Sequence, residues 1–364
     1  MWEHDASELE GHFANVNALR ADGAVRRMPD KVQMRDEGPE ALLDGWLPRE
    51  ALIGPDTRVI AIGSCFAGLF AEWLAAHGYN RGFDPTSDKS LVRNPLETPM
   101  AVAQQFRWAF GEFNPDLAFW FTPDKKRVEA TEERRDGLRR TFADAEVIVI
   151  TLGLAETWID SESGEAIWRV PPREHRSERY EFRVSTVAES RAALETIDRL
   201  RRQHTPQAKI VYTLSPVRFA ATFRPISPVV ANVVSKAILR AALDEFLRAR
   251  PAEVNETYFY FPSYEIVTQL LDDPYEDAKH IRPHHADLVI DLFARFYTTF
   301  PDTGQISAPL STEAELRQTI AVLERKVASL QTHCDDRLAI IKDLKTACDE
   351  RLAVIESLQA GLAS

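Results

Sequence analysis

The stretch Arg58-Val-Ile-Ala-Ile-Gly-Ser-Cys-Phe-Ala67, running into Gly68-Leu-Phe-Ala-Glu-Trp-Leu-Ala-Ala-His77, decides the fold. Arg58–Ile62 is a short apolar run bounded by a glycine, the pattern of a buried strand. From about residue 66 to 77 the apolar residues return at helical spacing. A strand, a glycine turn and a helix therefore place Ser64 and Cys65, two candidate nucleophiles, at a helix N-terminus. Unpaired backbone N–H groups and the positive end of the helix dipole gather there. Such a place is expected to lower a thiol pKa and to hold an oxyanion. The same turn also admits a structural reading, with Gly63 supplying an unusual φ and Ser64 acting as an N-cap.

Working outward, strands and helices alternate. Glu146-Val-Ile-Val-Ile-Thr-Leu152 suits a parallel strand buried on both faces. Further strands are expected at Lys209–Leu214 and Tyr258–Phe261, and helices at Ala101–Phe113, Val187–His204, Val229–Ala249 and 285–300. Residues 79–100 hold Gly82, Pro85, Pro95 and Pro99 and read as a long loop. Residues 159–184 are polar and turn-rich. The alternation predicts an α/β domain over 51–303 with a parallel sheet, preceded by a lead-in at 1–50. In such sheets ligands bind outside the carboxyl ends of the strands. The ends after Ile62, Leu152, Leu214 and Phe261 are thus expected to converge on one site.

Beyond the domain the composition changes. Leu316, Ile320, Leu323, Val327, Leu330 and Cys334 recur at alternating steps of four and three. Cys334-Asp-Asp-Arg-Leu-Ala-Ile-Ile is echoed at Cys348-Asp-Glu-Arg-Leu-Ala-Val-Ile, a repeat of 14 residues or two heptads. This pattern predicts a coiled-coil helix over 312–362 that joins copies of the chain; a single helix lying back on the domain is the alternative.

The net charge of −12 opposes a non-specific nucleic-acid binder, which needs a basic face. Three cysteines without paired spacing oppose a disulfide framework. The first residues, Met1-Trp-Glu-His-Asp, show no secretory pattern, and no apolar run reaches 18 residues. A cytoplasmic protein without membrane contact is the expectation. Neither the phosphate-binding loop pattern nor Gly-x-Gly-x-x-Gly occurs, so no nucleotide cofactor is expected.

A nucleophile needs a base, and the base needs an orienting group. Asp277-Ala-Lys-His280 supplies both in a proline-bounded loop before the last helix. His280 and His284 stand four apart, but Pro283 interrupts the helix that would align them, so no metal site is expected. Arg218 and Lys236 are candidates to neutralise an anionic substrate.

Gly63-Ser64-Cys65-Phe66-Ala67 resembles the signature of the GSCFA family, which is named for those letters. Asn94-Pro95, Thr151-Leu-Gly153-Leu-Ala-Glu156-Thr-Trp158, Leu214-Ser-Pro216-Val217, Ala231-Asn-Val-Val-Ser-Lys236, Tyr264-Glu265 and Asp277-x-x-His280 resemble it too. The resemblance spans roughly residues 50–300. It implies similarity to the SGNH/GDSL hydrolases, which are esterases and acyltransferases on a flavodoxin-like sheet. An acyl-enzyme on Cys65 or Ser64 follows, with His280 as base and Asp277 as its orienter. The substrate class implied is a small-molecule or carbohydrate ester. Registering on Gly63 puts Cys65 at the nucleophile position; registering on chemical identity puts Ser64 there. Those hydrolases carry Gly-x-Asn-Asp at the middle strand end, where this chain has Gly153-Leu-Ala-Glu156. Ionised Glu only accepts hydrogen bonds. The oxyanion candidates are therefore the N–H groups of Cys65 or Gly153, or Asn94, with Glu156 left for a substrate hydroxyl or an arginine. The alternative is a ligand-binding module without catalysis, oligomerised by its tail.

Overall fold

The computed structural model describes residues 43, 45–83, 96–114, 129–168, 170–171 and 179–299. The lead-in up to residue 42, Asn94 and the expected coiled coil at 312–362 lie outside the described residues. The chain divides into two units, Met1–Pro301 and Asp302–Ser364, and every described residue falls in the first.

Four strands build the main sheet: β1 (Val59–Gly63), β2 (Val147–Leu152), β6 (Lys209–Leu214) and β7 (Tyr258–Phe261). They lie in chain order and every pair is parallel. Hydrophobic runs such as Val-Ile-Val-Ile-Thr-Leu are buried along their whole length, because both faces are covered. Successive side chains point to opposite faces. Ile60, Ile62, Ile148, Ile150, Ile210 and Tyr212 face one layer; Val59, Ala61, Val147, Val149, Val211 and Phe259 face the other.

The first layer is made by α2 (Pro99–Ala109), α3 (Glu132–Asp144), α4 (Val187–His204) and α5 (Pro228–Arg248). The second is made by α1 (Phe66–Ala76) and α6 (Pro283–Tyr297). The chain thus passes from one face to the other after α1. Thr186 and Glu189 start α4 with reciprocal side-chain to backbone bonds, Glu189 N–H to Thr186 Oγ1 at 3.1 Å and Thr186 N–H to Glu189 Oε2 at 2.8 Å. Pro228 opens α5 and Pro283 opens α6, where a missing N–H costs nothing.

Two elements differ from the expectation. Glu132-Glu-Arg-Arg-Asp-Gly-Leu-Arg-Arg-Thr-Phe-Ala-Asp144 is a helix that the apolar spacing alone does not announce. It buries only Leu138, Thr141 and Phe142 and starts at a Thr131 cap. The segment read as polar turns instead forms an antiparallel three-stranded sheet, β4-β3-β5, from β3 (Glu156–Asp160), β4 (Ala166–Ile167) and β5 (Tyr180–Val184). The buried Asp160 carboxylate ties it together. It accepts Arg179 Nε at 2.7 Å and Arg179 Nη2 at 2.8 Å, with Ser163 Oγ at 2.9 Å. Among the described residues no helix is long and apolar enough to cross a membrane.

Candidate active site

All four main strands run the same way, so their carboxyl ends share one edge. Gly63 pairs with Thr151, Thr151 with Thr213 and Thr213 with Phe261, which aligns the ends in one row. The turn after β1 is set by Gly63 at φ +127, where L-residues rarely go. A Cβ there would stand 2.2 Å from the Thr151 carbonyl oxygen.

Ser64 and Cys65 have different environments. Ser64 is buried; its N–H donates to Thr151 O at 2.9 Å, and its Oγ accepts the Phe66 N–H at 3.3 Å. Its carbonyl takes the Ala67 N–H at 2.9 Å. Ser64 therefore satisfies two of the orphan donors of α1, and the Cys65 carbonyl takes a third, the Gly68 N–H at 3.1 Å. Cys65, at the N-cap position, is exposed. Its N–H has no acceptor among the described backbone and side-chain hydrogen bonds except its own sulfur. That leaves it as a donor for an oxyanion.

The thiol runs against the simple helix-terminus expectation. Its pKa is raised, chiefly by burial of the sulfur. Lys279 and Lys236 pull it down and Glu97 pushes it up. Burial outweighs what the two lysines and the backbone N–H supply. Cys65 is thus a protonated thiol that needs a base.

Asp277 and His280 meet as the spacing suggested. Asp277 Oδ2 lies 2.9 Å from His280 Nδ1, and Oδ1 accepts the N–H groups of Lys279 at 2.7 Å and His280 at 2.6 Å. His280, through its ring and then its backbone, holds the Asp277 carboxyl well below the usual range. An ionised carboxylate only accepts, so Nδ1 carries a proton, and in the neutral ring Nε2 is the acceptor. Both side chains are exposed. The loop is closed by Glu276 N–H to His280 O at 2.9 Å. It docks on the turn after β6 through Arg218 N–H to Lys279 O at 3.2 Å and Tyr275 Oη to Pro216 O at 3.1 Å. Its middle residue, Lys279, is the one that senses Cys65. Arg218 itself lies over the Tyr275 ring at 3.4 Å.

The turn after β2 forms the opposite wall. A Cβ on Gly153 would touch Ser64 Cβ and Glu97 O, each at 3.0 Å, so glycine permits this close approach. The Gly153 N–H donates to Glu97 O at 2.9 Å. This candidate oxyanion donor is therefore already engaged. Helix α5 clamps the same turn: Ser235 Oγ accepts the Ala155 N–H at 2.8 Å, and Lys236 Nζ donates to Gly153 O at 2.8 Å. Glu156 accepts Thr222 Oγ1 at 2.8 Å on both oxygens, and burial raises its carboxyl pKa. No hydrogen bond or ion pair among the described residues joins Glu156 to Cys65 or His280.

Glu97 and Lys279 are groups whose part at the site the sequence reading did not assign, and Lys236, read as a candidate to neutralise an anionic substrate, is placed by the structure inside the protein against Gly153 O. Lys236 is buried at 2% exposure, and burial brings its ammonium down to about 7. The signal lay in its position: Asn232, Ser235, Lys236, Leu239 and Leu243 form one buried helical face. A lysine on such a face is rare unless it is paired. The His284 and His285 rings lie 4.1 Å apart and tilted at 56° at the start of α6, with His285 buried. Among the described residues no group of three or more His, Cys, Asp or Glu is placed to hold a metal ion.

No curated protein matches the chain. The family model described as GSCFA family matches residues 58–293, well over half of the chain, and takes in the β1 turn, the Gly153 turn, Lys236 and the Asp277–His280 loop. The chain belongs to the GSCFA family.

Proposed function

We propose that the protein is an acyl hydrolase or O-acyltransferase of SGNH-like type that works through an acyl-enzyme on Cys65. The observations that carry this reading are an exposed thiol at the end of β1 and an Asp277–His280 couple on the loop whose Lys279 acts electrostatically on that thiol. His280 Nε2 takes the thiol proton and Asp277 fixes the ring and its tautomer. The sulfur attacks the ester carbonyl carbon, a C–S bond forms, and the carbonyl oxygen turns to the Cys65 N–H. The C–O bond to the alcohol then breaks, and the leaving alkoxide takes the proton from His280. Water or a second hydroxyl, a sugar hydroxyl among the candidates, attacks the thioester and regenerates the thiol. Burial of Ser64 and use of its Oγ as a cap favour Cys65 over Ser64 as nucleophile. Four parallel strands in chain order, covered on both faces, match part of a flavodoxin-like sheet and support the SGNH-like assignment. We assign residues 312–362 to self-association on their heptad pattern and place the protein in the cytoplasm.

Turnover of a panel of activated and sugar esters tests the reading. His280→Ala is expected to lose about 10²- to 10⁴-fold, the usual worth of a general base. Full turnover in both His280→Ala and Cys65→Ala sinks it. A second reading, ligand binding without catalysis, is favoured by one observation: the Gly153 N–H is taken, and no Asn stands at that strand end. Ligand binding without turnover, unaffected by Cys65→Ala, would select it.

A further inference from the structure

Lys236 has no role in the scheme above, yet it is the most unusual charge in the domain. Its side chain is buried and its single hydrogen bond goes to Gly153 O at 2.8 Å. An ammonium has three donors, so two are unspent, and no carboxylate lies in ion-pair range among the described residues. The hydrogen bond does not explain a lysine, since a neutral donor would hold one carbonyl at lower desolvation cost. Its surroundings offer another reason. Gly153 packs against Ser64, the neighbour of Cys65. Charge on Lys236 lowers the Cys65 thiol pKa, and charge on Cys65 raises the Lys236 pKa.

We propose that Lys236 is the counter-cation of the Cys65 thiolate, a positioning residue that eases ionisation of a thiol whose residue is exposed but whose sulfur is partly desolvated. It deepens the Cys65 reading above and rests on it. When His280 removes the thiol proton, negative charge appears on a desolvated sulfur. Lys236 in its charged form offsets that charge from inside the protein, while Lys279 does so from the solvent side. Glu97 opposes both, coming from the segment before α2. Cys65, Lys236, Lys279 and Glu97 are the charged groups that face one another here, with Asp277 and His280 on the loop that carries Lys279. Burial brings the Lys236 ammonium down to about 7, so about half of its charge is present at neutral pH and more below it, and a charge on Cys65 favours the ammonium as the thiolate forms. The arrangement gives a nucleophile whose reactivity is coupled to the protonation of an amine the substrate does not need to touch.

The test is the pH profile of Cys65 alkylation by iodoacetamide, followed by peptide mass mapping so that Cys334 and Cys348 are scored apart. Lys236→Met is expected to move the profile to higher pH and slow alkylation near neutrality about tenfold or more, one pKa unit being tenfold in thiolate. Lys236→Arg, which keeps the charge at every pH, is expected to move the profile to lower pH. A structural role for the amine alone would not distinguish the two by charge. Unchanged profiles in both variants overturn the proposal. If Lys236→Met fails to fold, Lys236→Arg decides alone: its charge does not fade above neutrality, so a shift to lower pH supports, and an unchanged profile or a shift to higher pH refutes. An acyl adduct on wild-type Cys65 with no Lys236 effect would sink this inference and leave the acyl-transfer reading standing. A Lys236 effect without any acyl adduct would do the reverse.

Discussion

Replacing Gly63 by alanine tests how the nucleophile turn is built. Gly63 has φ +127, and an added Cβ would meet the Thr151 carbonyl oxygen at 2.2 Å, its carbonyl carbon at 2.8 Å and its nitrogen at 2.9 Å. Thr151 cannot retreat, because its strand pairs with β1 on one side and β6 on the other. Forcing a non-glycine residue into such a backbone region costs about 1–3 kcal/mol. Displacing packed backbone adds about 1–3 kcal/mol. Together the loss is about 2–6 kcal/mol, a large part of the ~5–15 kcal/mol that holds a domain together. Gly153→Ala meets Glu97 O and Ser64 Cβ at 3.0 Å without a positive φ, so about 1–2 kcal/mol is expected. Gly68→Ala, in α1 with nothing within 4 Å, should gain about 0.5–1 kcal/mol through reduced unfolded-chain entropy. Urea denaturation followed by circular dichroism ranks the three. A Gly63→Ala protein as stable as wild type would refute the account of the turn.

Ser64→Ala should cost about 1 kcal/mol, the worth of a helix cap, yet leave Cys65 reactive; loss of all thiol reactivity on a folded Ser64→Ala protein would contradict the split of roles. Asp277→Asn should weaken acyl transfer by releasing the His280 ring, and the wild-type carboxylate, held low by His280, should stay ionised until pH falls through its depressed folded value; equal rates in the two proteins would remove Asp277 from the mechanism. Lys236 has a folded pKa of about 7, below its unfolded value of about 10.4. The unfolded chain therefore binds more protons between those values, and stability from this group rises with pH across that window. Lys236→Met should flatten that rise in pH-dependent urea titrations; an identical slope would mean that the amine is not buried in its neutral form.

The strands of the main sheet were legible because each is buried on both faces and reads as an unbroken apolar run. Val187–His204 was legible through its apolar stripe. Helix α3 was not, since eight of its thirteen residues are charged and only Leu138 and Phe142 anchor it. The small sheet was hidden for a different reason. Its stability comes from the Asp160–Arg179 pair and from cross-strand contacts such as Trp158 with Phe182, which link positions about twenty apart in the chain. At the site, the Asp277–His280 pair was readable because both partners sit in one short loop. The direction of the Cys65 pKa was not, because it depends on how far the folded chain desolvates the sulfur and on charges brought from α5, the β7–α6 loop and the segment before α2. Glu156 was misleading in the same way: its partner, Thr222, comes from a distant loop.

The central claim is that Cys65 carries an acyl group with His280 as its base. Intact-protein mass spectrometry after brief incubation with an ester panel, followed by peptide mapping, tests it most directly. The account predicts one adduct, on Cys65, kept in Ser64→Ala, slowed in His280→Ala and absent in Cys65→Ala. An adduct confined to Ser64, or ligand binding with no adduct on a folded protein across the whole panel, would contradict it.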